Sequence, residues 1–109
     1  MKHYQVIILP SAERDIGGAY EWLVEQDAEA AIRWYNRLLE VIFSLDMFPE
    51  RCPLAPESEF FNLEIREIFH GRRQHKYRIL FTVTESKIHV LHVRHGARLA
   101  LGETESSEE

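Results

Sequence analysis

The sequence has a single cysteine, no long apolar run and no glycine-rich phosphate loop, and each absence narrows the class of protein. Because Cys52 has no partner thiol, the 109-residue chain forms no internal disulfide and no thiolate-rich metal cage. No apolar run approaches the ~20 residues needed to cross a bilayer, so we expect no membrane partner. The sequence also lacks a secretion signal, and together these features predict a protein of the reducing cytoplasm.

Common catalytic and metal-binding arrangements are missing as well. There is no Gly-x-Ser-x-Gly elbow, and Cys52 lies in a proline-rich segment without an evident histidine partner, which favours a buried apolar role for its side chain. His89, His92 and His95 are spaced by three, which on a β-strand sends successive members to opposite faces. No nearby acidic residue or cysteine completes a metal shell, so we expect no metal and no other cofactor.

The charge is distributed very unevenly. The chain has a formal net charge of −5, yet residues 65–98 hold 8 Lys/Arg against 2 Asp/Glu, and 5 of the 6 histidines lie in the same block. Residues 1–64 hold 5 basic against 12 acidic side chains, and residues 99–109 hold 4 acidic side chains and no basic one. Such a block is either a set of solvated strand faces or a surface that meets an anion. We favour the anion-facing surface.

The apolar pattern predicts one domain over residues 1–102, followed by an acidic tail, residues 103–109, that we expect to be disordered. The predicted order is β-α-α-β-β-β, an α+β fold in which a helical hairpin packs on one face of an antiparallel sheet. The predicted strands are residues 3–9, 63–69, 76–83 and 87–93, and the predicted helices are residues 12–25 and 28–48. Residues 49–62, which contain three prolines, are expected to form a loop without regular structure.

Local signals refine this layout. Ser11 and Asp27 are the expected N-caps of the two helices, and Pro49 ends the second. The Gly17–Gly18 pair suggests close packing between helices.

The strand alternation then assigns faces. Tyr77 and its alternate neighbours face the helices, which leaves Arg78 on an open, basic face. The same alternation puts His92 and Arg94 on one face of the last strand, and His89 and His95 on the other.

The basic block suits phosphate chemistry. Arginine forks bind phosphate oxygens in pairs, and a histidine near neutrality moves protons, so such a set is able to cleave RNA without a metal. The candidate residues are Arg66, Arg72, Arg73, Lys76, Arg78, Arg94 and Arg98, with His92 and His95 among them. Taken singly, each arginine is more often a solvated charge. Arg78 is the exception because it lies mid-strand between apolar residues.

Three stretches together resemble the RelE/ParE superfamily of toxins from type II toxin–antitoxin systems. They are LPSAERDIGGAYEWL, then AAIRWYNRLLEVIFSLDMFPERCPLAPE, then IREIF with KYRILFTVTESKIHVLHVRHGAR. The resemblance covers residues 3 to about 98, and its most specific parts are YRILF and HVRHGAR. It implies a toxin that an antitoxin holds inactive in a hetero-oligomer.

The superfamily implies two targets. RelE-like members cut ribosome-bound mRNA without a metal, and ParE-like members poison DNA gyrase without a catalytic set. By this resemblance Arg78, Arg98 and, less securely aligned, Arg66 match the basic residues of the nucleases, and His95 is a candidate acid or base. Arg72, Arg73, Lys76, His92 and Arg94 are then candidates for contact with target or phosphate.

One departure from the nuclease pattern decides the order of the hypotheses. After Arg98 comes LALGETESSEE, which has no terminal tyrosine or histidine to act as acid or base. The favoured hypothesis is a ParE-like toxin that binds gyrase, and whether the chain is an enzyme stays open. The alternatives are a RelE-like endoribonuclease using Arg78 and Arg98, and a non-toxic or degenerate binding module of the same fold.

Overall fold

The computed structural model describes residues 2–71 and 76–96 of the chain. Its strands are β1 (Gln5–Ile8), β2 (Arg66–His70), β3 (Tyr77–Val83) and β4 (Lys87–His95). Its helices are α1 (Pro10–Gln26), α2 (Ala28–Phe43) and α3 (Glu57–Phe61), with 3₁₀ turns at Ser44–Asp46 and Pro49–Arg51. The predicted α+β layout is confirmed. The prediction of an irregular segment over residues 49–62 is wrong, because this segment contains a 3₁₀ turn and α3.

The strands form one mixed sheet in the order β1-β4-β3-β2. Strands β2, β3 and β4 pair antiparallel, whereas β1 lies parallel to β4, with Val6 opposite Ile88. The sheet is therefore mixed, and the prediction that all its strands run antiparallel holds for three of the four. The helices and the strands β2 and β3 separate β1 from β4 along the chain, and this long connection allows the two neighbouring strands to run parallel.

Helices α1 and α2 meet at Asp27, which has extended backbone and a side chain that accepts hydrogen bonds from Glu29 N and Ala30 N. This confirms Asp27 as the N-cap of α2. The N-cap of α1 is Leu9, with Pro10 at the first helical position, so the prediction of Ser11 as cap is wrong. Gly17 and Gly18 are exposed, and a Cβ on either would meet no atom within 4 Å, so they do not mark close helix packing.

The main core lies between the helical hairpin and one face of the sheet. Phe81 of β3 and Val90 of β4 are fully buried there against Leu38 and Ile42 of α2. The residues of this core are Ala12, Ile16, Leu38, Ile42, Leu45, Cys52, Tyr77, Ile79, Phe81, Ile88, Val90 and Val93. The predicted assignment of Tyr77, Ile79 and Phe81 to the helix side of the sheet is confirmed.

The opposite face of the sheet is not open. The segment 53–65 crosses it and buries Leu80 under Ala55 and Ile65, while Ala55 N donates to Ile65 O at 2.7 Å. Leu54 forms an isolated bridge with Arg66 at the start of β2. Arg78 retains only 8% of its accessible surface beneath this segment, so its expected exposure is wrong. Below, the face covered by residues 53–65 is called the outer face.

A bulge in β4 changes the faces of its last residues. Leu80 pairs with His92 and Phe81 pairs with Val90, so Leu91 is an extra residue on β4. Directly paired residues share a face, and His89, paired with Thr82, therefore joins His92 and Arg94 on the outer face. The expected separation of His89 from His92 is wrong, because simple alternation does not survive an inserted residue.

Candidate functional site

The outer face is organised around Arg78. Its Nη2 donates to Glu57 Oε1 at 2.7 Å, its Nη1 to Glu57 Oε2 at 3.0 Å, and its Nε to Glu67 Oε1 at 2.9 Å. Glu57, from the first turn of α3, is fully buried, and Glu67 lies beside Arg78 on the adjacent strand. The hydrogen bonds to Glu57 raise the pKa of the Arg78 guanidinium, so the arginine stays charged. Both arms of the fork are used within the protein.

Arg94 lies directly opposite Arg78 on β4. Two like charges in adjacent positions destabilise a sheet unless anions lie between or beside them. Glu57 and Glu67 both pair with Arg78, so together they balance the formal charges of Arg78 and Arg94, although the buried Nε of Arg94 itself has no hydrogen-bond partner. The centre of the outer face is therefore close to neutral, although the sequence places it in the most basic block of the chain.

Arg66 does not join this cluster. It pairs with Phe81, and so lies on the helix side of the sheet. Its Nη1 donates to Cys52 O at 2.6 Å, which ties β2 to the segment that follows the Pro49–Arg51 turn. The expectation that Arg66 and Arg78 form one cationic surface is wrong, since an odd register difference puts them on opposite faces.

A second polar arrangement joins β4 to α1. Asp15 Oδ2 lies 2.9 Å from His92 Nδ1 and accepts a hydrogen bond from Val93 N at 2.9 Å. Ser11 Oγ donates to Leu91 O at 2.6 Å. The pairing of β1 with β4 ends at Val90. Ser11 and Asp15 of α1 therefore bond to backbone groups of β4 that lie beyond the end of β1. The carboxylate also fixes the orientation of the His92 ring.

The remaining candidates lie near the end of β4. The His95 ring contacts Tyr77 on the helix side, with ring centroids 5.2 Å apart, and Lys76 Nζ lies 5.2 Å from the centroid of Phe69. Gly96 N donates to Lys76 O at 2.7 Å. The candidates Arg72, Arg73 and Arg98 lie outside the described residues, as does the acidic tail 103–109. The structure therefore assigns them no geometry.

A cleft of about 850 Å³ lies between α2 and the end of β2. It is lined by Arg33, Trp34, Arg37, Glu40, Val41, His70 and Gly71. Trp34 links the cleft to the core, because its ring lies 5.2 Å from Tyr77 and 6.3 Å from His70 between centroids. Burial lowers the pKa of His70 below its ordinary value; a hydrogen bond to the Trp34 backbone opposes this, and nearby Arg37 lowers the pKa further.

Two other features of the described residues bear on function. Residues 2–71 and 76–96 contain no group of three or more His, Cys, Asp or Glu side chains placed to hold a metal ion. Cys52 is buried in the main core, which confirms its expected apolar role, and burial raises the pKa of its thiol.

None of the helices in the described part of the chain combines the length and the apolar composition needed to cross a bilayer.

Sequence reasoning missed the acidic partners and the cleft. Glu57 gave no signal, because it lies in a proline-rich segment where no period assigns a face. Asp15 gave no signal as a partner of His92, since the bulge in β4 is invisible in the sequence pattern. Arg33 and Arg37, by contrast, are four residues apart on an expected helix, and that spacing puts them on one side.

The family model described as the ParE toxin of the type II toxin–antitoxin system parDE matches residues 6–100. No curated protein sequence matches at a significant level.

Two of the similar solved structures come from toxin–antitoxin systems. The chromosomal ParDE system from P. aeruginosa contains a chain 17% identical, with a TM-score of 0.68 over 85% of this chain and 96% of that one. The RelBE2 toxin–antitoxin complex from Mycobacterium tuberculosis contains a chain 23% identical, with a TM-score of 0.56 over 90% of this chain and 97% of that one. These likenesses establish a shared fold. The family match covers most of the sequence, and the chain therefore belongs to the ParE toxin family of type II toxin–antitoxin systems.

Proposed function

We propose that this chain is a toxin, neutralised by a cognate antitoxin, that acts by binding DNA gyrase rather than by cutting RNA. The choice of gyrase rests on the resemblance to ParE-like toxins and on the family match. The observation that carries the choice against a nuclease is the bidentate pairing of Arg78 with buried Glu57.

A phosphate clamp needs an arginine whose donors are free to meet the substrate. Three donors of Arg78 bond to Glu57 and Glu67, and only 8% of its surface is accessible. Separating a buried carboxylate from its arginine costs about 3–5 kcal/mol, which RNA binding would have to supply first. Arg66 adds nothing to such a clamp, because it lies on the other side of the sheet.

A binding function needs exposed contact surface, and the chain has it. Large apolar side chains are half exposed on the two long helices and on the segment around α3. They are Trp22, Val24, Ile32, Tyr35 and Phe43 on the helices, and Leu54, Phe60, Phe61 and Leu63 around α3. Exposed apolar side chains such as these are available for contact with partner proteins. Two such surfaces suit a protein with two partners, an antitoxin and a target.

The nuclease hypothesis keeps one supporting observation, the contact between Asp15 and His92. A carboxylate that holds Nδ1 of a histidine leaves Nε2 as a potential proton acceptor, as in general-base sites. The His92 side chain is 32% exposed, so a substrate has access to it. This geometry makes His92, rather than His95, the histidine to test in an RNA-cleavage assay.

The test runs two assays on the same purified chain. We expect it to inhibit supercoiling by gyrase and to leave cellular transcripts intact by primer extension. Codon-phased cleavage that disappears in His92→Ala, with supercoiling unaffected, would replace the gyrase hypothesis by the nuclease one.

A chain that changes neither readout, and whose soluble expression leaves growth unchanged, would be a degenerate binding module. The growth assay therefore separates a wrong target from an inactive toxin.

A further inference from the structure

The cleft between α2 and β2 carries a local positive charge on an acidic half of the chain. Arg33 and Arg37 lie one helical turn apart on its α2 side, facing His70 and Gly71 at the end of β2. Neither arginine forms an ion pair with any residue of the described ranges 2–71 and 76–96. Among the described residues that line the cleft, Glu40 is the one acidic side chain, so the charges of this described lining do not balance.

Two buried nitrogens beside the cleft lack hydrogen-bond partners. They are Trp34 Nε1 and His70 Nε2, and both residues belong to the lining. A buried polar atom without a partner is costly and uncommon, and its presence commonly marks a place where another molecule completes the structure. Neither nitrogen touches solvent, so a ligand that satisfies them must also shift side chains around Trp34 and His70.

We propose that this cleft binds an acidic peptide segment of a partner protein, whose carboxylates pair with Arg33 and Arg37 and whose binding repacks Trp34 against His70. The inference rests on the proposed function, because the partner that carries the segment is the antitoxin. Arginine forks bind carboxylates in two parallel hydrogen bonds, and the four-residue spacing presents two forks to one strand of peptide. Glu40 in the lining would accept hydrogen bonds from peptide N–H groups.

A nucleic acid fits the cleft less well. Binding to a polyanion strengthens with the number of phosphates neutralised, and the described residues of the lining offer two arginines against one glutamate. The surrounding half of the chain, residues 1–64, holds 12 acidic against 5 basic side chains and repels an extended phosphate backbone. A peptide with a few spaced carboxylates avoids that repulsion.

The experiment titrates a 12-residue oligoglutamate peptide into the full chain and follows Trp34 fluorescence. Trp22 is half exposed and is replaced in a Trp22→Phe background, so that Trp34 is the only indole reporting. We expect a saturable change of emission. We expect Arg33→Glu/Arg37→Glu to weaken binding by about tenfold or more, as the loss of charge-assisted contacts does.

A matched control has the same change of net charge outside the cleft. Arg14→Glu/Lys87→Glu alters two exposed basic side chains on α1 and β4, and should weaken binding by less than about threefold, because screened charges act weakly over distance. Equal losses in the two double variants would overturn the proposal, since they would show only a general charge effect.

Two further experiments would identify a different occupant of the cleft. Tighter binding of a single-stranded RNA of 12 nucleotides, lost in Arg33→Glu/Arg37→Glu, would replace the peptide by a nucleic acid. Peptide binding that appears only when Glu103, Glu105, Glu108 and Glu109 are all changed to Gln would assign the cleft to the chain's own tail.

The outcome is independent of the gyrase assay. A chain that binds the peptide yet leaves supercoiling unchanged refutes the proposed target, whereas one that inhibits gyrase without binding the peptide refutes this site.

Discussion

Arg78 and Glu57 form a buried ion pair through two hydrogen bonds, Nη2 to Oε1 at 2.7 Å and Nη1 to Oε2 at 3.0 Å, and this pair fastens α3 to the sheet. We expect Arg78→Ala to destabilise the chain by about 3–5 kcal/mol, because it leaves the Glu57 carboxylate buried without its cation. Urea unfolding followed by circular dichroism measures the change.

Two controls sharpen this prediction. Glu57→Leu/Arg78→Leu removes both charges and should be closer to the wild type than Arg78→Ala. Arg14→Ala, at an exposed position on α1, should change stability by less than about 0.5 kcal/mol. An Arg78→Ala variant with wild-type stability but lost RNA cleavage would make Arg78 a phosphate ligand after all.

Asp15 supports the part of β4 that β1 does not reach. Its carboxylate accepts from Val93 N and contacts His92 Nδ1, so Asp15→Ala leaves a backbone donor of the central strand without a partner. We expect a loss of about 1–3 kcal/mol in the free energy of unfolding. His92→Ala, which keeps the bond to Val93, should cost clearly less. Equal losses would mean that the imidazole contact, and not the strand edge, is what Asp15 stabilises.

The sequence predicted the order of the two long helices and the four strands, and the helix side of the sheet, because these depend on local periods. Tyr77, Ile79 and Phe81 occupy every second position of β3 and all face the core. Asp27 caps α2 through hydrogen bonds to nearby backbone groups, which do not depend on the rest of the fold. The outer face was not predictable in the same way. Its cover, residues 53–65, has no period, and the Leu91 bulge reverses the alternation that assigned His89.

In the candidate site, too, only the features that depend on a local pattern were predictable from the sequence. That Arg78 lies mid-strand followed from the pattern, but its pairing with Glu57 joins residues 21 positions apart through an irregular segment. Arg78, at the centre of the basic block, is therefore neutralised by Glu57 and Glu67 once the chain folds. The net charge of a stretch of sequence shows how many charged side chains a surface could carry. It does not show which of them stay unpaired after folding.

Stability should fall as the pH drops, through the titration of His70. Burial lowers its pKa in the folded chain, so the unfolded chain binds more protons once the pH falls below the ordinary value of about 6.5. The contribution is complete above that value and is lost as the pH drops towards the lowered pKa. Between pH 7.5 and pH 5 we expect His70→Gln to lose less stability than the wild type does.

Thermal unfolding across that range, with His89→Gln as a second variant lacking one imidazole, measures the effect. A His70→Gln profile parallel to the wild type would show that His70 titrates alike in both states.

Gly96 and Gly17 provide a matched pair for testing the backbone geometry. A Cβ on Gly96 would lie 2.9 Å from the backbone oxygen of Lys76, the atom to which Gly96 N donates. We expect Gly96→Ala to destabilise by about 1–3 kcal/mol, as overpacking does. Gly17 is exposed within α1, and a methyl group added there would meet nothing within 4 Å, so Gly17→Ala should stabilise by about 1 kcal/mol. Urea unfolding of both variants measures the two signs, and a stable Gly96→Ala would mean that the β3–β4 pairing ends before Lys76.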